Sequence, residues 1–136
     1  MNNVQFATAI HILAMLAIQK SSLSSAKIAE SIQVDPAIVR KSLRLLGAKD
    51  LVVTKEGKGG GTLLAKPAKD IMLSDVYLAV TDNSTSLLGR LNHPDPNCFT
   101  GRQINLHITN LYNFAENKLI KALGETNLEA FTKQFE

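Results

Sequence analysis

Tryptophan is absent from this 136-residue chain, and aromatic residues make up only 5% of it. A core must therefore come from Ile, Leu, Val and Ala, a balance that favours packed helices. Cysteine occurs once, at Cys98. That excludes an intramolecular disulfide framework and fits a reducing, cytoplasmic setting. Long hydrophobic runs are missing as well. The longest, near residues 4–18, falls short of the roughly 18–20 residues a membrane span needs, and His11 interrupts it. No Lys or Arg precedes that run, so the charged start of a signal peptide is lacking. The expectation is a buried first helix with His11 as a satisfied core residue, and no membrane partner. Catalytic signatures are missing too: no nucleophile motif and no paired-carboxylate arrangement stands out.

What is present is the composition of a folded protein, 45% hydrophobic and 20% charged, at a length suited to one core. The net charge of +3 is unevenly spread. Residues 1–70 carry ten basic and five acidic side chains, residues 71–136 five basic and seven acidic. A basic N-terminal half suits a polyanion, because phosphate binding is driven by counterion release.

The hydrophobic periodicity lays out the elements. Residues 4–20 are apolar on most sides and read as a central helix. Ser24 or Ser25 can cap a short amphipathic helix over 26–31, with Ile28 and Ala29 inward and Lys27 and Glu30 outward. Asp35 then stands at an N-cap with Pro36 at the first helical position. From 36 to about 49 the pattern is helical, with Val39, Leu43 and Leu46 on one stripe and Arg40, Lys41 and Arg44 off it. Residues 51–55 and 62–66 read as strands around a glycine-rich loop at 57–61, and Pro67 ends the second. Ser74 is a candidate cap for a short helix ending near 80. Residues 82–99 look irregular, apart from a turn near Leu87. Residues 101–123 read as a long helix with the stripe Ile104, Ile108, Leu111, Ala115, Leu119 and Ala122, closed by Gly124. A last helix spans 128–135. The fold class is mainly α with a two-stranded β-hairpin: a winged helix-turn-helix plus a long C-terminal helix. Its divisions are 1–80 for the winged helix, 81–100 for a loop and possible sensing region, and 101–136 for helical dimerisation.

In such a helix pair the second helix can enter the major groove, where cations meet phosphates and Arg can pair with guanine. The run Gly57-Lys58-Gly59-Gly60-Gly61 does not suit a nucleotide. Thr62 stands where the third glycine of a dinucleotide fingerprint belongs, a strand follows, and the P-loop spacing does not occur. As a wing tip it lets backbone approach DNA closely while Lys55 and Lys58 supply charge. The expected DNA-binding residues are Lys27, Ala37, Arg40, Lys41, Arg44, Lys55, Lys58, Gly59 and Gly60. Two alternatives stay open at this point: a winged-helix protein-interaction module without DNA binding, and a small-molecule-binding domain built on the 82–99 loop.

Specific residues also carry a resemblance. Ile28-Ala29-Glu30, Leu43-x-x-Leu46, Leu51-Val52, Gly57-x-Gly59-Gly60-Gly61, Leu64-Ala65, Pro67 and Ile71-x-Leu73-x-Asp75-Val76-x-x-Ala79-Val80 are similar to the Rrf-two (BadM-like) family of bacterial transcription regulators. The likeness is close over residues 3–80 and looser through Cys98-x-x-Gly101-x-x-Ile104 and the long helix. It is nearest the cluster-lacking YwnA-like branch. The resemblance implies a cytoplasmic homodimer, with recognition helices in successive major grooves and wings at the minor groove. The expected role is that of a repressor on a pseudo-palindromic double-stranded operator. The long helix would pair with its partner through Ile104, Ile108, Leu111, Ala115 and Leu119. Cluster-binding members commonly have Glu-Gln where this chain has Arg40-Lys41, and Arg where it has Glu56, so their target sequence does not carry over.

Those members bring three cysteines to the 82–99 loop, and this chain brings one. An iron–sulfur cluster needs several thiolates, so no cofactor is expected. His93 and His107 flank Cys98, and zinc on that trio is the weaker reading. Two readings remain for Cys98. It is an inert half-buried thiol, or a redox sensor of oxidants or electrophiles activated beside Arg102 at the start of the long helix. A small-molecule or oxidant effector is thus a candidate partner, still unidentified.

Overall fold

The computed structural model describes residues 4–81 and 86–135. Among the described residues, six helices and one hairpin follow in the order α1 (Gln5–Gln19), α2 (Ser25–Ile32), α3 (Pro36–Ala48), β1 (Val52–Lys55), β2 (Gly61–Leu64), α4 (Leu73–Val80), α5 (Phe99–Leu123) and α6 (Leu128–Thr132). A 3-10 turn, Ala68–Asp70, precedes α4. The mainly helical winged helix-turn-helix expected from the pattern is the fold observed.

Helix α1 is the hub. It touches α2, α3, α4, α6 and β2, and its Ile12 and Leu13 are solvent-free. Around them close Ile28 from α2, Val39 and Leu46 from α3, Ile71 before α4, Val76 from α4 and Leu128 from α6, all without measurable exposure. Burying each such side chain contributes about 1.5–3 kcal/mol.

His11 is not in that core. It is exposed, on an outer stripe of α1 with Val4, Ala7 and Ile18 at helical spacings. The stripe carries apolar residues too, which is why the pattern alone hides it. The capping residue of α4 is likewise Met72 rather than Ser74: the Asp75 carboxylate accepts from the Met72 amide at 3.0 Å, and Ser74 lies inside the helix.

Two corrections concern the C-terminal part. Helix α5 begins at Phe99, two residues before Gly101, with Cys98 as its N-cap. Helix α6 stops at Thr132, and its Asn127 side chain caps it by accepting from the Ala130 amide at 2.7 Å. Leu128 donates to the Ile71 carbonyl at 2.8 Å and Leu73 to the Thr126 carbonyl at 3.0 Å. These bonds fasten α6 to the head.

Candidate nucleic-acid interface

Local signals set the first half of the site. Ser24 accepts from the Lys27 amide at 3.1 Å and starts α2. Gln33 ends that helix in the left-handed region at φ 62°, and Asp35 accepts from the Ala37 amide at 2.8 Å to start α3. Pro36 occupies the first position, where its missing N–H is not needed. Val39 and Leu46 turn inward, so the rotation of α3 is fixed. Ala37, Arg40, Lys41 and Arg44 are left exposed.

The second half is the hairpin. Its strands pair antiparallel with Val52 opposite Leu64 and Lys55 opposite Gly61. The wing is also tied to the segment before α2. Leu23 donates to Thr62 at 3.1 Å, Thr62 donates back at 2.8 Å, and the Ser22 hydroxyl donates to the Gly59 carbonyl at 3.3 Å. At the tip, Gly60 donates to the Gly57 carbonyl at 3.0 Å. A Cβ on Gly60 would lie 2.3 Å from the Lys55 carbonyl oxygen, so only glycine closes this turn.

Between wing and α3 lies a cleft of about 510 Å³. Arg40, Leu43 and Arg44 form one wall, Thr54, Lys55, Gly57 and Gly60 the other, and Ser24, Ser25, Gly61 and Thr62 the floor. Three cations and no acid line it, and none of the three is ion-paired among the described residues. Free guanidinium and ammonium groups beside hydroxyls and backbone amides suit phosphate oxygens.

Of the nine expected residues, the cleft therefore gathers Arg40, Arg44, Lys55 and Gly60. Lys58 and Gly59 sit exposed at the wing tip, Lys27 on the first turn of α2 and Ala37 on that of α3. Lys41 points elsewhere. With the Gln5 amide oriented to satisfy both neighbours, it accepts from Lys41 Nζ at 3.3 Å and donates to the Val80 carbonyl at 3.2 Å. Ser24, Ser25, Thr54 and Thr62 belong to the cleft, and the sequence marked only the two serines, as caps.

Helix α5 holds the expected pairing residues, and it has no buried residue. Ile104 and Leu111 are exposed, whereas Ile108, Ala115 and Leu119 are half-buried. The flank beyond them faces the chain itself. Asn105 Nδ2 donates to the Asn92 carbonyl at 2.8 Å, the Tyr112 hydroxyl to the Leu88 carbonyl at 3.4 Å, and the Tyr77 hydroxyl to Glu116 Oε1 at 3.1 Å.

Cys98 is exposed, which removes the half-buried reading of its thiol. Its amide donates to the Asp95 carbonyl at 3.1 Å. His107 lies nine residues further along α5 (helix from Phe99, Cys98 its cap), about 13 Å at the helical rise. A zinc ion within about 2.3 Å of both ligands is thus unreachable from these two. Among the described residues no group of three His, Cys, Asp or Glu comes together. These residues do not fit a resident cluster.

Comparison with known proteins agrees with this geometry. The Rrf2 family, described as iron-dependent transcriptional regulator, matches residues 3–134. The HTH-type transcriptional regulator YwnA of Bacillus subtilis (strain 168) is 30% identical over 129 residues, 95% of each chain. A crystal structure of a DNA binding protein superposes with TM-score 0.74 at 27% identity, over 93% of this chain and 97% of that one. The structure of CymR (YrzC), the global cysteine regulator of B. subtilis, superposes with TM-score 0.69, over 100% and 98%. At 17% identity that last likeness concerns the fold alone.

Proposed function

This chain belongs to the Rrf2 family of transcriptional regulators, and from that premise we propose that it acts as a homodimeric repressor on a pseudo-palindromic operator. It is a DNA-binding regulator. In this reading α3 enters the major groove, with Ala37, Arg40 and Arg44 towards the duplex, Lys41 at the edge of that face and Lys27 on a flanking phosphate. The wing lays Lys55, Lys58, Gly59 and Gly60 along the backbone beside it. The observation that carries the reading is the cleft between α3 and the wing, where Arg40, Arg44 and Lys55 stand without anionic partners among the described residues.

The reading places the protein in the cytoplasm, and no helix among the described residues is long and apolar enough to cross a membrane. Its regulation runs without an iron–sulfur cluster, because one exposed cysteine lacks the companion thiolates a cluster takes. An oxidant or electrophile acting at the exposed Cys98 thiol is the effector class that fits.

Selection of bound fragments from a random duplex library tests the reading. The expected product is a two-fold site with half-sites about 10–10.5 base pairs apart, or a multiple of that. No enrichment at low salt would sink it. Enrichment of an asymmetric single site would remove the homodimer from it. Treating Cys98→Ser and the native protein with peroxide, and measuring affinity for the selected duplex, tests the effector: only the native protein should respond.

A further inference from the structure

A cavity of about 740 Å³ lies where the end of α1, strand β2, the turn before α4 and helix α6 meet. That size falls within the roughly 300–1,000 Å³ of small-molecule sites. Its lining divides into two kinds. Leu16 and Ala17 of α1, Leu63 and Leu64 of β2, and Ala68 of the turn make the apolar part. Leu16 is buried and the other four are half-buried. The charged part holds three lysines, Lys20, Lys66 and Lys133, against one acid, Glu129. Glu129 is already engaged, with its Oε1 at 3.2 Å from Lys133 Nζ. Lys20 and Lys66 have no anionic partner among the described residues.

We infer that this cavity binds an amphipathic carboxylate, a hydrocarbon body ending in one carboxyl group, and that the bound anion weakens the grip of the wing on DNA. Charge is the first argument. The C-terminus of α1 brings about half a negative charge to the cavity, and the short α6 brings at most as much. Glu129 adds one more. Three ammonium groups outweigh these together, and a surplus of about one positive charge remains. A single carboxylate matches it, with Lys20 and Lys66 free to donate to its oxygens. The apolar part is the second argument. It comes from α1, β2 and the turn at once, so a hydrocarbon body can leave water against all three. Position is the third. Leu63 and Leu64 follow Thr62, which exchanges two backbone bonds with Leu23. Lys20 stands two residues before Ser22, whose hydroxyl donates to the Gly59 carbonyl. The cavity thus borders both segments that hold the wing. A carboxylate there cancels positive charge at the wing's base, and that charge attracts phosphates even without touching them. No residue of α5 lines the cavity, so the site is separate from Cys98. The carboxylate site stands on its own lining, whereas its action on the wing rests on the DNA-binding reading above.

Equilibrium dialysis of the full chain against decanoate tests the site, with acetate supplying the charge without the chain and octanol the chain without the charge. Decanoate should saturate at one molecule per chain, and both controls should bind at least about tenfold more weakly. Lys20 and Lys66 are exposed, so replacing both by alanine leaves the core intact, and an unchanged thermal unfolding curve without ligand checks this. The Lys20→Ala, Lys66→Ala double variant should bind decanoate about tenfold more weakly or worse. Absence of saturable decanoate binding to the native protein overturns the site. Native affinity in the double variant, or octanol bound as tightly as decanoate, overturns it equally. The second measurement is affinity for the selected duplex at saturating decanoate. The native protein should lose about fivefold or more, and the double variant should not respond. Saturable decanoate binding with unchanged duplex affinity overturns the action on the wing and leaves the site standing. A native protein that binds no duplex overturns the regulator reading and the action on the wing together, while dialysis still decides the site.

Discussion

Gly61, the first residue of β2, packs against Leu23: a Cβ added there would lie 2.8 Å from the Leu23 carbonyl oxygen. Its φ of 149° lies outside what side chains comfortably adopt. Leu23 in turn holds Thr62 through the two reciprocal backbone bonds that orient the wing. Gly61→Ala therefore meets both a backbone clash and conformational strain. It should cost about 1–3 kcal/mol in urea unfolding and weaken DNA binding by shifting the wing. A variant as stable and as tightly binding as the native protein would contradict this role.

Asp35 caps the recognition helix. Asp35→Ala removes the bond to the Ala37 amide and should lower stability by about 1 kcal/mol. Thermal unfolding reads this directly, and restoration by Asp35→Asn distinguishes a cap from a charge effect. A loss under a few tenths of a kcal/mol in the alanine variant would mean the cap does not set the start of α3.

Tyr77 links the head to α5. Burial pushes its phenol above the ordinary value near 10, and the hydrogen bond and charge of Glu116 push the same way. The fold thus favours the neutral phenol. Its contribution is intact below about pH 10 and fades as pH rises through the higher folded value. Tyr77→Phe should lose about 1 kcal/mol at neutral pH, the worth of the bond to Glu116. Above pH 10 its stability should decline less steeply than that of the native protein. Parallel alkaline profiles would show that the phenol does not titrate in this environment.

Where local chemistry decides structure, the residues announce it. Asp35-Pro36 and Ser24 mark helix starts by capping rules, and Val39 with Leu46 fixes which side of α3 faces out. The glycine run reads as a wing because a strand, not a helix, follows it. Where several elements converge, the same rules fall short. His11 sits on an outer stripe of α1 that is itself apolar, so composition cannot separate the two faces. Gly101 looks like a helix boundary, yet it lies inside α5, where a Cβ would come 2.6 Å from the Asp95 carbonyl oxygen. Its smallness answers to the loop folded back on the helix. Lys41 is one residue from Arg40 in sequence and on a different side in space, facing Gln5 of α1. Which charges share the cleft depends on the wing, whose placement comes from long-range pairing with Leu23.

That distinction separates the cations in a measurable way. Arg40 and Arg44 line the cleft, and Lys41 does not. The salt dependence of binding to the selected duplex, measured for the native protein and for Arg40→Ala, Arg44→Ala and Lys41→Ala, tests the account most directly. Each arginine variant should bind more weakly and reduce the slope of log K against log salt by about 1. Lys41→Ala should change that slope less. Arginine variants with the native affinity and slope, or a native protein that ignores duplex DNA at low salt, would contradict the account.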